Sequence, residues 1–352
     1  MYRYILLFLL ILAGIIFLFR ITQNTERITR VDGRIDYRIS NRGWIYFRID
    51  SPCIERYFKS PIKDSALVSE NGTFSFFFQS HSHPVFFDIT NKRDFIAHHY
   101  YLSPGDHLRL DFEGKEIPVS LASFKDCGRY NSFLQEFIDS FYRNKEVKQF
   151  YYISSNYLMA PEFSRYINQR RQEQIHFFKK YFDEPAADSV FIRYFLAELN
   201  YQWASDKLNF LWKKRLRKEW VPVDSSYFDF LQLRGNSSGE NLICPTYGRF
   251  IALLMREWYQ QQNEFPGSGK ISDMEKCKLA ELAFTGLDLE MAYLSILQDR
   301  FENKKESNIE PSRMNNSGFD EILKRAFSHT RNPLFNNLVK DHDKIKTLDL
   351  NR

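Results

Sequence analysis

HLRLDFEGKEIPVSLASFKDCGRYNSFLQEFIDSF, residues 107–141, changes its hydrophobic period partway along. His107–Phe112 alternates apolar and polar residues, the spacing of a strand with one buried face. After Gly128 the spacing becomes 3.6. Tyr130, Phe133, Leu134, Phe137, Ile138 and Phe141 then fall along one stripe of an amphipathic helix. The switch divides the chain into a β-rich half and a helical half, so the expected class is α+β.

Upstream of the switch, VDGRIDYRI (31–39) and RGWIYFRID (42–50) both alternate, and the pair reads as a hairpin around Asn41. Glu70-Asn71-Gly72 is a turn signal before the strand TFSFFFQ (73–79). Pro84–Thr90 and Phe95–Leu102 follow as strands, and Pro104-Gly105-Asp106 makes the turn into His107–Phe112. Roughly seven or eight short strands at this density predict a small antiparallel β-sandwich over 30–122. Downstream, helical patterns recur at 157–182, 186–217, 224–233, 246–263, 272–284 and 287–302, which predicts an α-helical domain over 126–302. Residues 303–352 read as a polar linker and tail.

Tyr4–Phe19 (YILLFLLILAGIIFLF) carries no charge and is bracketed by Arg3 and Arg20. As a helix it would span about 24 Å, slightly less than a hydrocarbon core, with flanking arginines able to snorkel. No pair of small residues marks a cleavage site, so 1–22 is expected to be an uncleaved signal anchor and single transmembrane helix. Arg20, Arg27, Arg30 and Arg34 follow it; the positive-inside rule alone would place that side in the cytoplasm. The net charge of +5 is mild and spread along the chain, which excludes the dense basic stripe of a nucleic-acid binder.

Candidate chemistry is sparse. His81 and His83 lie two apart, so on a strand they share a face; with His98, His99 or Asp88 converging they could begin a zinc or copper site. Solvent-facing histidines are the plainer reading, and no metal site is assigned. Gly267-Ser268-Gly269-Lys270 lacks the Walker spacing and the following Ser or Thr, and reads as a loop. Lys213, Lys214, Arg215, Arg217 and Lys218, flanked by Trp212 and Trp220, could meet anionic lipid or a partner, or simply solvate a helix end. Cys53, Cys127, Cys244 and Cys277 form no C-x-x-C pair and are expected to be mostly free and buried. No catalytic motif and no cofactor motif is present.

Several motifs recur in a familiar order: V-x-G-x-I at Val31–Ile35, N-G-x-F at Asn71–Phe74, Y-x-x-P-G-D-x-L-x-L-D-F at Tyr101–Phe112 and N-x-F-L-x-x-F at Asn131–Phe137. FIRYFLAELNY (191–201), SYFDFL (226–231) and PTYGRFI (245–251) follow. Residues 30–300 thereby resemble the region preceding the thioredoxin domain in TlpA-type thiol–disulfide oxidoreductases of Bacteroidetes. The resemblance implies placement outside the cytoplasmic membrane, in the periplasm, against the charge rule. A redox member also carries a C-terminal W-C-x-x-C domain. No such motif occurs here, so no catalytic cysteine is carried over. The expected function is a non-catalytic, membrane-anchored extracytoplasmic binding or accessory module. The alternative is a component of thiol–disulfide exchange, working with a separate thioredoxin-like protein. The expected partner besides that protein is the inner membrane, and nucleic acid is not expected.

Overall fold

The computed structural model describes residues 29–50, 62–78, 84–91, 95–112, 118–123, 127–182, 189–219, 221–234, 244–262 and 272–306, with Lys324, Arg325 and Ser328. The N-terminal apolar run lies outside the described residues, as does most of the 303–352 tail. Among the described residues no helix is long and apolar enough to cross a membrane. The architecture is α+β, and it divides into two compact units. The first holds 29–47 and 65–128; the second holds the helices from Arg129 onward.

Eight strands make two four-stranded sheets: β1 (Thr29–Arg34), β2 (Trp44–Asp50), β3 (Ile62–Leu67), β4 (Thr73–Phe78), β5 (Val85–Thr90), β6 (Phe95–Leu102), β7 (His107–Phe112) and β8 (Pro118–Ser123). One sheet runs β4-β1-β7-β8 and the other β3-β2-β5-β6. The first is mixed, because β1 pairs antiparallel with β4 but parallel with β7, so the expected all-antiparallel arrangement needs correction. Side chains alternate along β1 and β7, with Val31, Leu108 and Leu110 wholly buried. Phe47 of β2 stacks on Phe76 of β4 with centroids 4.0 Å apart, which joins the apolar faces of the two sheets.

The expected 31–50 hairpin does not form: β1 and β2 lie in different sheets. Asp36 ends the alternation by accepting a hydrogen bond from the Arg38 backbone N–H at 2.9 Å, which winds Tyr37–Ile39 into a 3-10 turn. Arg42 and Gly43 then take positive φ, redirecting the chain into the other sheet. The glycine in V-x-G-x-I has a different cause. A Cβ on Gly33 would sit 2.1 Å from the Leu110 carbonyl oxygen and 2.5 Å from the Phe74 ring.

The helical unit comprises α1 (Cys127–Ile138), α2 (Lys145–Tyr157), α3 (Ala160–Tyr181), α4 (Ser189–Leu216), α5 (Pro245–Gln262), α6 (Asp273–Ala283) and α7 (Gly286–Glu306). A π turn at Asp139–Arg143 ends α1, and a 3-10 segment, Ser225–Leu233, precedes α5. These match the predicted helical stretches closely, except that α2 was not among them. The apolar stripe of α1 is buried as its period requires. Phe133 contacts the rings of Phe178, Phe182 and Phe195 at 4.8–5.6 Å, mostly edge to face. Ser272 and Glu275 cap α6 reciprocally.

Candidate functional site

The histidine expectation separates into parts. His81 and His83 lie outside the described residues, and so does the side chain of His98. The His99 ring stacks on Phe86 with centroids 4.6 Å apart, and its backbone N–H donates to Asp88 at 2.8 Å across an irregularity between β5 and β6. Among the described residues no three His, Cys, Asp or Glu side chains are arranged to hold a metal. Cys127, Cys244 and Cys277 are buried; Cys53 and the 267–270 loop lie outside the described residues.

A polar cluster covers the outer face of the first sheet. Asp32 accepts from Ser75 at 2.6 Å and Arg30 at 2.7 Å, and shares a 2.7 Å hydrogen bond with His107 Nε2. Burial pulls the Asp32 carboxyl upward, but the bonds from Ser75, Arg30 and His107 outweigh it and hold its pKa below the usual value. The carboxylate stands between the serine and the histidine. Ser75 therefore has no imidazole to take its proton, and the trio is not a nucleophile–base pair.

The same face runs into an open cleft of about 660 Å³. Its walls are the end of β1 with the 3-10 turn, the 70–72 turn and β7. Gly72 holds the turn in place: its φ is +85°, its carbonyl accepts from the Ile35 N–H at 2.9 Å, and a Cβ there would meet the Ile35 oxygen at 2.3 Å.

In the basic run 213–218, Lys214 is buried and Arg215 half-buried, while Lys213, Arg217 and Lys218 are exposed. Lys214 donates to the Asn156 carbonyl at 3.0 Å and to Glu219 at 2.8 Å. Arg215 forks onto the buried Glu257, and Arg217 reaches the Asn156 carbonyl and side chain. Trp212 lies under Arg256 at 4.6 Å. Structural pairing thus accounts for Lys214, Arg215 and Arg217 of this run.

Two of these cations end on α2, whose amphipathic pattern is inverted. Its buried residues are Ser154, Ser155 and Asn156: Ser155 and Asn156 donate to the Tyr152 carbonyl, the Asn156 carbonyl receives Lys214 and Arg217, and Tyr151 donates to the buried Asp206 at 2.8 Å. Several of its apolar residues face out. Phe150, Tyr152, Ile153, Tyr157 and the following Met159 supply five of the eleven exposed large hydrophobic residues among the described residues. Phe150, Ile153 and Tyr157 follow the i, i+3, i+7 spacing of one helical face. Gln149–Pro161 contains no charge at all.

Asp206 sits at the centre of a second, internal network that sequence reasoning missed. It accepts from Gln202 at 2.8 Å and lies 3.8 Å from Arg170, whose guanidinium packs over the rings of Tyr142 and Tyr151 at 5.1–5.2 Å. Burial raises the Asp206 pKa against the pull of Arg170 and Tyr151, and burial pushes the Tyr142 phenol up to about 12. No local motif marks this group, since Arg170 and Asp206 are brought together only by helix packing. Compared with known proteins, the chain finds no counterpart: no family model, no curated protein and no solved structure matches it.

Proposed function

We propose that this chain is a non-catalytic docking module, held at the membrane by its N-terminal apolar run with the globular part in the periplasm. In this reading the two sheets act as a small sandwich and α2 is the face that a protein partner covers. The observation that carries the reading is the inversion of α2. A surface helix normally buries its apolar stripe. Here aromatic residues and a methionine face out along an uncharged stretch, the composition of protein interface cores. A helix lying on lipid would instead flank its apolar face with Lys and Arg along its length, whereas the only cations of α2, Lys145 and Lys148, lie before the uncharged stretch. Thiol exchange is less favoured, because Cys127, Cys244 and Cys277 are buried.

The test places a photoreactive residue at Phe150, Ile153 or Tyr157, with the isolated, exposed Leu282 as control. One protein adduct of constant mass should arise from all three α2 positions, vanish with Tyr152→Glu and be absent from Leu282. An adduct of twice the chain mass would make the occupant a second copy. Lipid adducts alone, or none, would sink the docking reading. Placement is tested separately. Lys148→Cys on α2 should react with a membrane-impermeant maleimide in intact spheroplasts, and protection until lysis would put the module in the cytoplasm.

A further inference from the structure

The cleft at the end of β1 is independent of α2 and has its own chemistry. Arg34 is exposed, and its guanidinium has no hydrogen-bond partner among the described residues. Arg109 lies on the adjacent parallel strand, where Asp32 is its register partner and Arg34 faces Asp111. Arg109 donates Nε to Asp111 at 2.9 Å, which leaves its two Nη groups without a partner among the described residues. Two guanidiniums therefore offer planar donor pairs at one mouth, the arrangement that receives a carboxylate bidentately.

The opposite wall supplies different groups. Glu70 is exposed, and its carboxylate has no partner among the described residues. The Asn71 Oδ1 is committed to Ser69 and to the Thr73 N–H and hydroxyl, which fixes the side chain and leaves its amide nitrogen available. Tyr37 adds a ring 44% exposed, held against Gly43, where a Cβ would meet the tyrosine oxygen at 3.0 Å. The volume of about 660 Å³ falls within the roughly 300–1,000 Å³ of small-molecule sites.

Charge decides among ligands. Asp36, paired with Arg38 at 2.6 Å, Asp111, paired with Arg109 at 2.9 Å, and the open carboxylate of Glu70 border the cleft, and their negative charge opposes a phosphate dianion. A monoanion seated on Arg34 and Arg109 meets less repulsion. Neutral hydroxyls can donate to Glu70, accept from the Asn71 amide and lay a ring face on Tyr37. We infer that the cleft binds a carboxylated sugar, its carboxylate on Arg34 and Arg109 and its hydroxyls on Glu70 and Asn71.

The experiment is calorimetric titration of the full chain in detergent with trigalacturonic acid, sialyllactose and a glucuronic acid disaccharide. Galactotriose, inorganic phosphate and free glutamate are the comparison probes. At least one carboxylated sugar should bind with Kd below about 1 mM, and galactotriose at least about tenfold more weakly. Arg34→Ala should remove about tenfold or more of that affinity without changing the unfolding midpoint, and Arg34→Lys should restore only part of it. Equal binding of galactotriose would overturn the carboxylate assignment. Stronger binding of phosphate or glutamate would reassign the ligand class. Sugar binding indifferent to Arg34→Ala would place the site elsewhere, and no binding by any probe would end the proposal.

Discussion

Asp32 on the first sheet and Asp206 inside the helical unit have similar partners: an arginine, a hydroxyl and one further polar side chain or ring. Their carboxyls move in opposite directions, Asp32 down and Asp206 up. The partner set does not decide this; water does. Asp32 lies on a sheet face at the edge of solvent, where short hydrogen bonds outweigh a partial desolvation. The Asp206 side chain is 5% exposed, and the arginine facing it stands 3.8 Å away rather than in hydrogen-bond contact. Desolvation there exceeds what two cations, Arg170 and Arg249, and two donors return. The Asp32 cluster thus stays at the solvent edge of its sheet, while the Asp206 network is sealed inside the helical unit.

The largest expected effect is Arg170→Ala. It removes the cation beside a buried carboxyl and the guanidinium packed over Tyr142 and Tyr151. Loss of one member of a buried pair costs about 3–5 kcal/mol, whereas Asp32→Ala, at the solvent edge, should cost about 1 kcal/mol. The arginine loss should grow as pH rises, because Asp206 must then ionise with Arg249 alone opposing its burial. The double variant Arg170→Ala/Asp206→Ala should lose less than the sum of the single variants. Urea unfolding of all four variants at two pH values checks this. Equal losses from Arg170→Ala and Asp32→Ala would erase the distinction between the two sites.

The next effect is one of sign. The folded pKa of Asp206 is raised, so the folded state holds that proton more tightly than the unfolded chain. Its contribution is fully present below the unfolded value of 3.8 and is lost as pH rises through the folded pKa. Asp32 is lowered, so its contribution is present above 3.8 and lost as pH falls through its folded pKa. Asp206→Asn should therefore flatten the decline in stability on the alkaline side of 3.8, and Asp32→Asn should flatten the decline on the acid side. Unfolding midpoints measured across that range decide it. Both variants moving the profile in the same sense would contradict the opposite burial of the two carboxyls.

Much of the framework is legible because burial leaves a period. Leu108, Leu110 and Phe112 alternate, the α1 stripe repeats at 3.6, and both patterns become the elements they predict. The 31–50 hairpin misleads because alternation continues through Tyr37 and Ile39. A single capping bond from Asp36 outweighs it, and β1 then pairs with β4 and β7. Helix α2 escapes because its buried face is polar, so its apolar positions do not trace the side that packs. The Asp206 network and the cleft escape because their members come from distant segments. Arg34, Asn71 and Arg109 meet only after β1 pairs with β7 and the Gly72 turn folds against Ile35.

The smallest effect tests what the inversion of α2 is for. If its outward aromatics served the fold of this chain, truncating them would destabilise it as core truncation does, by about 2–5 kcal/mol. Tyr157 is 73% exposed and Tyr152 63%, so little area leaves water when they fold. Tyr157→Ser and Tyr152→Ser should each change stability by no more than about 0.5 kcal/mol. Ser155→Leu on the buried face of the same helix should cost about 1–3 kcal/mol by overpacking. Chemical denaturation of the three variants compares the faces directly. A large loss from the tyrosine variants would mean that α2 is covered within its own chain, and the docking surface would have to be sought elsewhere.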